Sequence, residues 1–246
     1  MPVVNKLLVA AATVGLVIVS GSAQAREGEP RAVVTNGWAG YVVRAVGGSF
    51  AVVAGSWVQP RVGCNRPGSS VALWVGLGGA TSDSQALEQI GTSADCSQRA
   101  LVSYSAWYQL FPAPPVELPL TIRPGDRVAA KVAVRGSALT VELRDFTTGA
   151  SFSTELRMRS PETDSAEWIV EAPSACFMTC MQLPLAGFGR VVFADTSTTA
   201  GAHTGTIKDL GWTRRRLRMR PRGGRTAAVA TPLSPNGSSF DVHRLP

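Results

Sequence analysis

Histidine is nearly absent: the 246 residues contain two, His203 and His243. Neither has a motif around it. His243 is the fourth residue from the end, and His203 lies in a Gly/Thr-rich stretch that reads as a loop. Ser-His-Asp and Cys-His enzymes need a positioned imidazole, and a two-histidine zinc site would announce itself as HExxH. There is also no phosphate-cradling glycine loop, no dinucleotide-binding strand–helix unit, and no convincing helical period after the first 25 residues. No later segment is long and apolar enough to span a bilayer. What remains is the chemistry of carboxylates, amides and aromatic walls, which leaves acid peptidases, glycosidases and noncatalytic sugar binders.

The first 25 residues have a purpose of their own. Lys6 precedes an apolar run from Leu7 to Val19, and Ala23-Gln24-Ala25 is a small-x-small cleavage site. This pattern predicts a secretory signal peptide cut after Ala25, with a single domain of 26–246 remaining. The cysteines agree with export. Cys64, Cys96, Cys176 and Cys180 are even in number, and Cys64 with Cys96 and Cys176 with Cys180 is the most economical of the pairings open to them. No CxxC pair supports zinc, so neither metal nor cofactor is called for. The net charge of +7 is concentrated in RRRLRMRPRGGR, 214–225. Alternation there sets Leu217 and Met219 against Arg216, Arg218 and Arg220, as in a strand with a buried side and a cationic outside. Nucleic-acid binding is not expected. A monomer is the default.

The rest reads as all-β. Short runs rich in Val, Thr and aromatics, such as Phe50–Val58, Leu101–Phe111, Leu139–Phe146 and Glu167–Glu171, alternate with Gly, Pro, Asn and Asp turns. Many strands with short turns predict a sandwich or barrel. Alternation also sorts faces. In LEQIG, Leu87, Gln89 and Gly91 oppose Glu88 and Ile90, so Glu88 and Gln89 cannot both enter one cleft. In 101–111, Ser103, Ser105, Trp107 and Gln109 make a polar face like the wall of a groove. In AEWIVE, Glu167, Ile169 and Glu171 share a face, and alternation alone does not separate the two acids.

An ordered set of segments then becomes specific: GWAGYVV (37–43), FAVVAGSWVQP (50–60), LWVGLGG (73–79), LEQIGT (87–92), YSAWYQLFP (104–112), PGDRV (124–128), AEWIVEAP (166–173) and FGRVVF (188–193). Together they resemble the glutamic peptidases, or eqolisins (peptidase family G1), in a short form similar to the bacterial branch. The resemblance implies a concanavalin A-like sandwich of two antiparallel sheets. It also implies a Glu–Gln dyad in the groove of the concave sheet. By motif match the dyad is Glu171, the last residue of AEWIVE, and Gln89 of LEQIGT. Polypeptides are the implied substrates. Trp74 and Trp107 match aromatic positions near the family site.

Three positions depart from the family pattern. Gly78, Ser93 and Gln109 stand where relatives commonly carry Asp, Asp and Glu. With Trp74 and Trp107 they are the expected substrate-binding positions, and their neutrality predicts altered specificity and pH response. Two other readings use the same residues: a carbohydrate-binding or glycosidase-like sandwich with Glu88, Glu167 or Glu171 as paired carboxylates, and a catalytically weak member acting as a binder. The side of the sheet on which Glu88 lies distinguishes the first from a peptidase.

Overall fold

The computed structural model describes residues 32–81, 83–176 and 180–246, with the side chain of Cys176 excluded. The predicted signal peptide and its cleavage site lie outside the described residues. The strands are β1 (Val33–Thr35), β2 (Trp38–Ala45), β3 (Phe50–Val58), β4 (Ser70–Gly78), β5 (Leu87–Cys96) and β6 (Val102–Phe111). Next come β7 (Val116–Glu117), β8 (Arg127–Arg135), β9 (Ala138–Asp145), β10 (Ser151–Arg157), β11 (Ser165–Glu171) and β12 (Ser174–Cys176). The last are β13 (Cys180–Gln182), β14 (Arg190–Ala200), β15 (His203–Gly205), β16 (Trp212–Met219), β17 (Ala228–Ala230) and β18 (Phe240–Arg244).

The all-β reading holds. One layer runs β10-β9-β8-β3-β14 and the other β16-β2-β11-β4-β5-β6-β7, with β18 and β17 joining them into one hydrogen-bonded path. The two expected sheets are therefore a single curled sheet folded upon itself. One ladder is not antiparallel: β1 pairs parallel with β16.

Alternation shows why the layers stack. Val128, Ala130 and Val132 of β8 and Leu139, Val141 and Leu143 of β9 turn inward and are buried, while the residues between them are more exposed. Burial of each such aliphatic side chain contributes roughly 1.5–3 kcal/mol. Indoles pin one layer to the other. Trp168 Nε1 of β11 donates to the Ala54 carbonyl of β3 at 2.8 Å. Trp57 Nε1 of β3 donates to Thr92 Oγ1 of β5 at 3.0 Å.

β4 is buried along its whole length. Its Val71, Leu73, Val75 and Leu77 enter the main core. Its Ala72 and Trp74 belong to a second, smaller cluster on the opposite face, with Val42, Leu87, Ile169 and Leu217. That second face floors the groove described below. Cys64 and Cys96 are bonded, tying the loop before β4 to the end of β5. Cys180 is disulfide-bonded and opposite Cys176 in the β12–β13 register; the Cys176 side chain lies outside the described residues. In β16, Leu217 and Met219 are buried, Arg218 and, just past the strand, Arg220 are exposed, and Arg216 of the expected cationic side is half-buried.

Candidate active site

Strand register sets the site. Across β2, β11, β4, β5 and β6 one row of neighbours reads Trp38, Glu171, Ala72, Ser93, Ser105. The next reads Gly40, Ile169, Trp74, Gly91, Trp107 and continues to Glu117 of β7. A third reads Val42, Glu167, Gly76, Gln89, Gln109. Glu171 and Gln89 thus share a face, with the Trp74–Gly91–Trp107 row between theirs. Both line one cavity of about 620 Å³, together with Trp38, Ser93, Trp107 and Gln109.

Gly91 makes this packing possible. A Cβ there would lie 2.1 Å from the Leu73 carbonyl oxygen and 2.6 Å from Trp74 Cβ. With no side chain at 91, the Trp74 indole fits under the groove. Trp74 is fully buried, and its Nε1 donates to Glu171 Oε2 at 2.8 Å. Trp38 meets Trp74 edge-on, with ring centroids 5.0 Å apart. Burial pushes the Glu171 carboxyl above the usual carboxylate range, and hydrogen bonds from the Trp74 and Trp38 indoles oppose that push. The outcome is a carboxylate that is hard to ionise but held in a fixed orientation by donors that favour its charged form.

Gln89 is equally constrained. Its Nε2 donates to Gln109 Oε1 at 2.9 Å, and Gln109 Nε2 donates to the Ala113 carbonyl at 2.8 Å. The buried Gln89 Oε1 has no partner. Ser93 and Ser105 share a hydroxyl–hydroxyl hydrogen bond of 3.0 Å in the Glu171 row.

Two expected groove residues are elsewhere. Trp74 does not line the cavity; it lies beneath and holds Glu171. Gly78 is buried, with φ +79, and a Cβ there would stand 2.6 Å from the Glu162 carbonyl oxygen. It makes room for the Glu162 backbone instead of facing a substrate. The structure also separates the two acids of β11. Glu167 is fully buried and away from the cavity lining, and neither of its carboxylate oxygens has a hydrogen-bond partner. Burial holds its carboxyl well above the usual range. Glu88 sits opposite Leu77 on the inner face, fully buried, where it accepts the Glu162 backbone N–H at 3.3 Å. Burial raises its pKa to about 8.

The alternation of 101–111 pointed to Ser105, but nothing singled out Trp38 or Glu117 as cavity residues. Trp38 was within reach, because alternation in GWAGYVV sets it on the face of Gly40 and Val42. Glu117 belongs to a strand of two residues, too short to show a period. Among the described residues no cluster of three or more His, Cys, Asp or Glu could hold a metal.

A family profile described as "Peptidase A4 family" matches residues 36–239. Among solved structures, scytalido-glutamic peptidase with a transition state analog inhibitor superposes with a TM-score of 0.73 at 20% identity, over 87% of this chain and all of the other. SCP-B, a member of the eqolisin family in complex with the tripeptide Ala-Ile-His, gives 0.70 at 20% identity, over 87% and 100% of the two chains. Aspergilloglutamic peptidase from Aspergillus niger gives 0.59 at 26% identity, over 72% of this chain and 99% of the other. No curated protein matches the sequence.

Proposed function

The chain belongs to the Peptidase A4 family, the glutamic peptidases or eqolisins, and from that premise we propose that it is a secreted endopeptidase that hydrolyses peptide bonds with water activated by Glu171 and Gln89. The carrying observation is that these two side chains line one cavity from strands separated by β4. Each is locked by its own donor or acceptor: Glu171 by the Trp74 indole, Gln89 by Gln109.

The chemistry follows from the side chains. Peptide hydrolysis needs an activated water, a donor for the oxyanion and a proton for the leaving amine. Ionised Glu171 takes a proton from water as it attacks the carbonyl carbon, then returns it to the amine nitrogen. Gln89 does not ionise at any working pH. One of its N–H groups is engaged by Gln109; the other is free to donate to the oxyanion. An amide in this position avoids the repulsion that would force one of two close carboxylates to neutrality. The Trp107 ring and the Ser93–Ser105 hydroxyls line the path of an extended polypeptide. A Cys64–Cys96 bridge suits an oxidising compartment outside the cytoplasm.

The glycosidase-like reading pairs two of Glu88, Glu167 and Glu171 across the groove, and Glu167 does not line the cavity. Glu88 is on the other face, so the groove lacks such a pair. The test is turnover of a denatured protein substrate from pH 3 to 7 by the Glu171→Gln variant. The variant should fold like the parent and lose about three orders of magnitude in kcat. A folded variant that still cleaves at the parental rate removes Glu171 from the chemistry.

A further inference from the structure

We infer that Gln109 is a positioning residue: a chain of amides, Ala113 carbonyl to Gln109 to Gln89, fixes which end of the Gln89 amide faces the reacting groups, and does so independently of pH. The inference rests on the peptidase reading of Gln89.

The polarity of the chain follows from its anchor. The Ala113 carbonyl can only accept, so the Gln109 end facing it at 2.8 Å is the NH2. The other end of Gln109 is then its carbonyl oxygen, an acceptor. Gln89, 2.9 Å away, must therefore present its NH2. The Gln89 oxygen is left pointing the other way, buried and unpartnered. Turning the Gln89 amide over would set two carbonyl oxygens against each other.

The anchor is itself held. Ala113 N–H donates to the Leu110 carbonyl at 2.8 Å, which closes the turn after β6. Gln89 and Gln109 are direct partners across the β5–β6 ladder, so the strands themselves keep the two amides side by side. Nothing in the chain titrates. The hydroxyl pair of Ser93 and Ser105 does not titrate either; the ionisable side chains on this face are Glu171 and Glu167 of β11, Asp95 of β5 and Glu117 of β7, and none of them is hydrogen-bonded to either amide.

A carboxyl at 109 would behave differently, and that supplies the test. Protonated, it donates to the Ala113 carbonyl and accepts from Gln89, as the amide does. Ionised, it has no proton for Ala113, and the chain breaks at its anchor. Steady-state kinetics from pH 3 to 7 should be run on the parent, Gln89→Ala, Gln109→Ala and Gln109→Glu, with side-chain amide exchange of Gln89 followed by NMR in parallel.

Gln109→Ala should lose about tenfold or more in kcat at every pH, with KM changed little, because a misaligned donor weakens the oxyanion contact. Gln109→Glu should match the parent at the acid end and fall about tenfold relative to it as the introduced carboxyl ionises. The Gln89 amide proton engaged by Gln109 should be protected in the parent at all pH values, exposed in Gln109→Ala, and exposed in Gln109→Glu only at the upper end. Parental profiles for both position-109 variants, with Gln89→Ala inactive, overturn the positioning role and leave the dyad standing. Full activity in Gln89→Ala removes the dyad instead. Fast exchange of the engaged Gln89 proton in the folded parent overturns the amide chain whether or not the protein is active.

Discussion

Glu171 shows how one indole can tune one acid. Burial raises its pKa, and the Trp74 and Trp38 indoles pull it back. If Glu171 is the proposed general base it must be ionised, so kcat/KM should rise with pH along a limb above the ordinary glutamate value of about 4.3. Replacing Trp74 with Phe keeps most of the ring and deletes the 2.8 Å donor. A hydrogen bond to a charged group is worth about 1.5–3 kcal/mol, so the acid limb should move up by about one pH unit or more. A pH–rate profile unchanged in Trp74→Phe would show that the indole does not govern this carboxylate. The role of Trp74 was not readable from sequence. A Trp in a strand buried on both faces looks the same whether it fills a core or holds an acid from below, and only the strand register distinguishes them.

At the scale of strands, alternation carried far. It set Gln89 and Glu88 on opposite faces, and it made the β6 face of Trp107 and Gln109 a groove wall. It could not rank Glu167 against Glu171, because both share a face of β11. Their difference lies along the strand: Glu171 reaches the cavity beside Trp38, whereas Glu167 lies buried away from it. That depends on how β2 and β4 align with β11, which is long-range information. Gly78 was misread for a similar reason, since its need for a missing Cβ comes from Glu162, more than eighty residues away in the chain. Gly91 is where the strands are most sensitive. Gly91→Ala would drive a methyl into the backbone oxygen of Leu73 and into Trp74, neither of which is free to yield. The variant should lose about 2–4 kcal/mol of stability, measured by urea unfolding, and its remaining folded fraction should show reduced activity. Parental stability in Gly91→Ala would contradict the tight contact between β4 and β5.

At the scale of the whole molecule, two buried carboxyls tie stability to acid. Glu88, with a pKa of about 8 against an ordinary 4.5, is protonated in both folded and unfolded chains below pH 4.5. Between those values the unfolded chain ionises and the folded one does not, so stability falls as pH rises, by about 1.4 kcal/mol per unit while the difference lasts. Glu167 is shifted in the same direction and adds to the slope. The urea midpoint should therefore fall steadily from about pH 4.5 to about pH 8, and Glu88→Gln should flatten the decline. A midpoint constant across that range would refute the account of these buried acids. The all-β sandwich was legible from turn spacing and β-branched runs. The joining of its layers through β17 and β18 was not, because three- and five-residue strands carry too little period.

On the proposed function, the amide of the Glu88–Gln89 pair, and not its acid, does the chemistry. The direct measurement is kcat of Gln89→Ala and Glu88→Gln side by side near pH 5 on one peptide substrate, with folding of both verified. Gln89→Ala should lose about two to three orders of magnitude, and Glu88→Gln should keep parental turnover. Turnover retained without the Gln89 amide, or abolished by neutralising Glu88 in a folded protein, would contradict this reading.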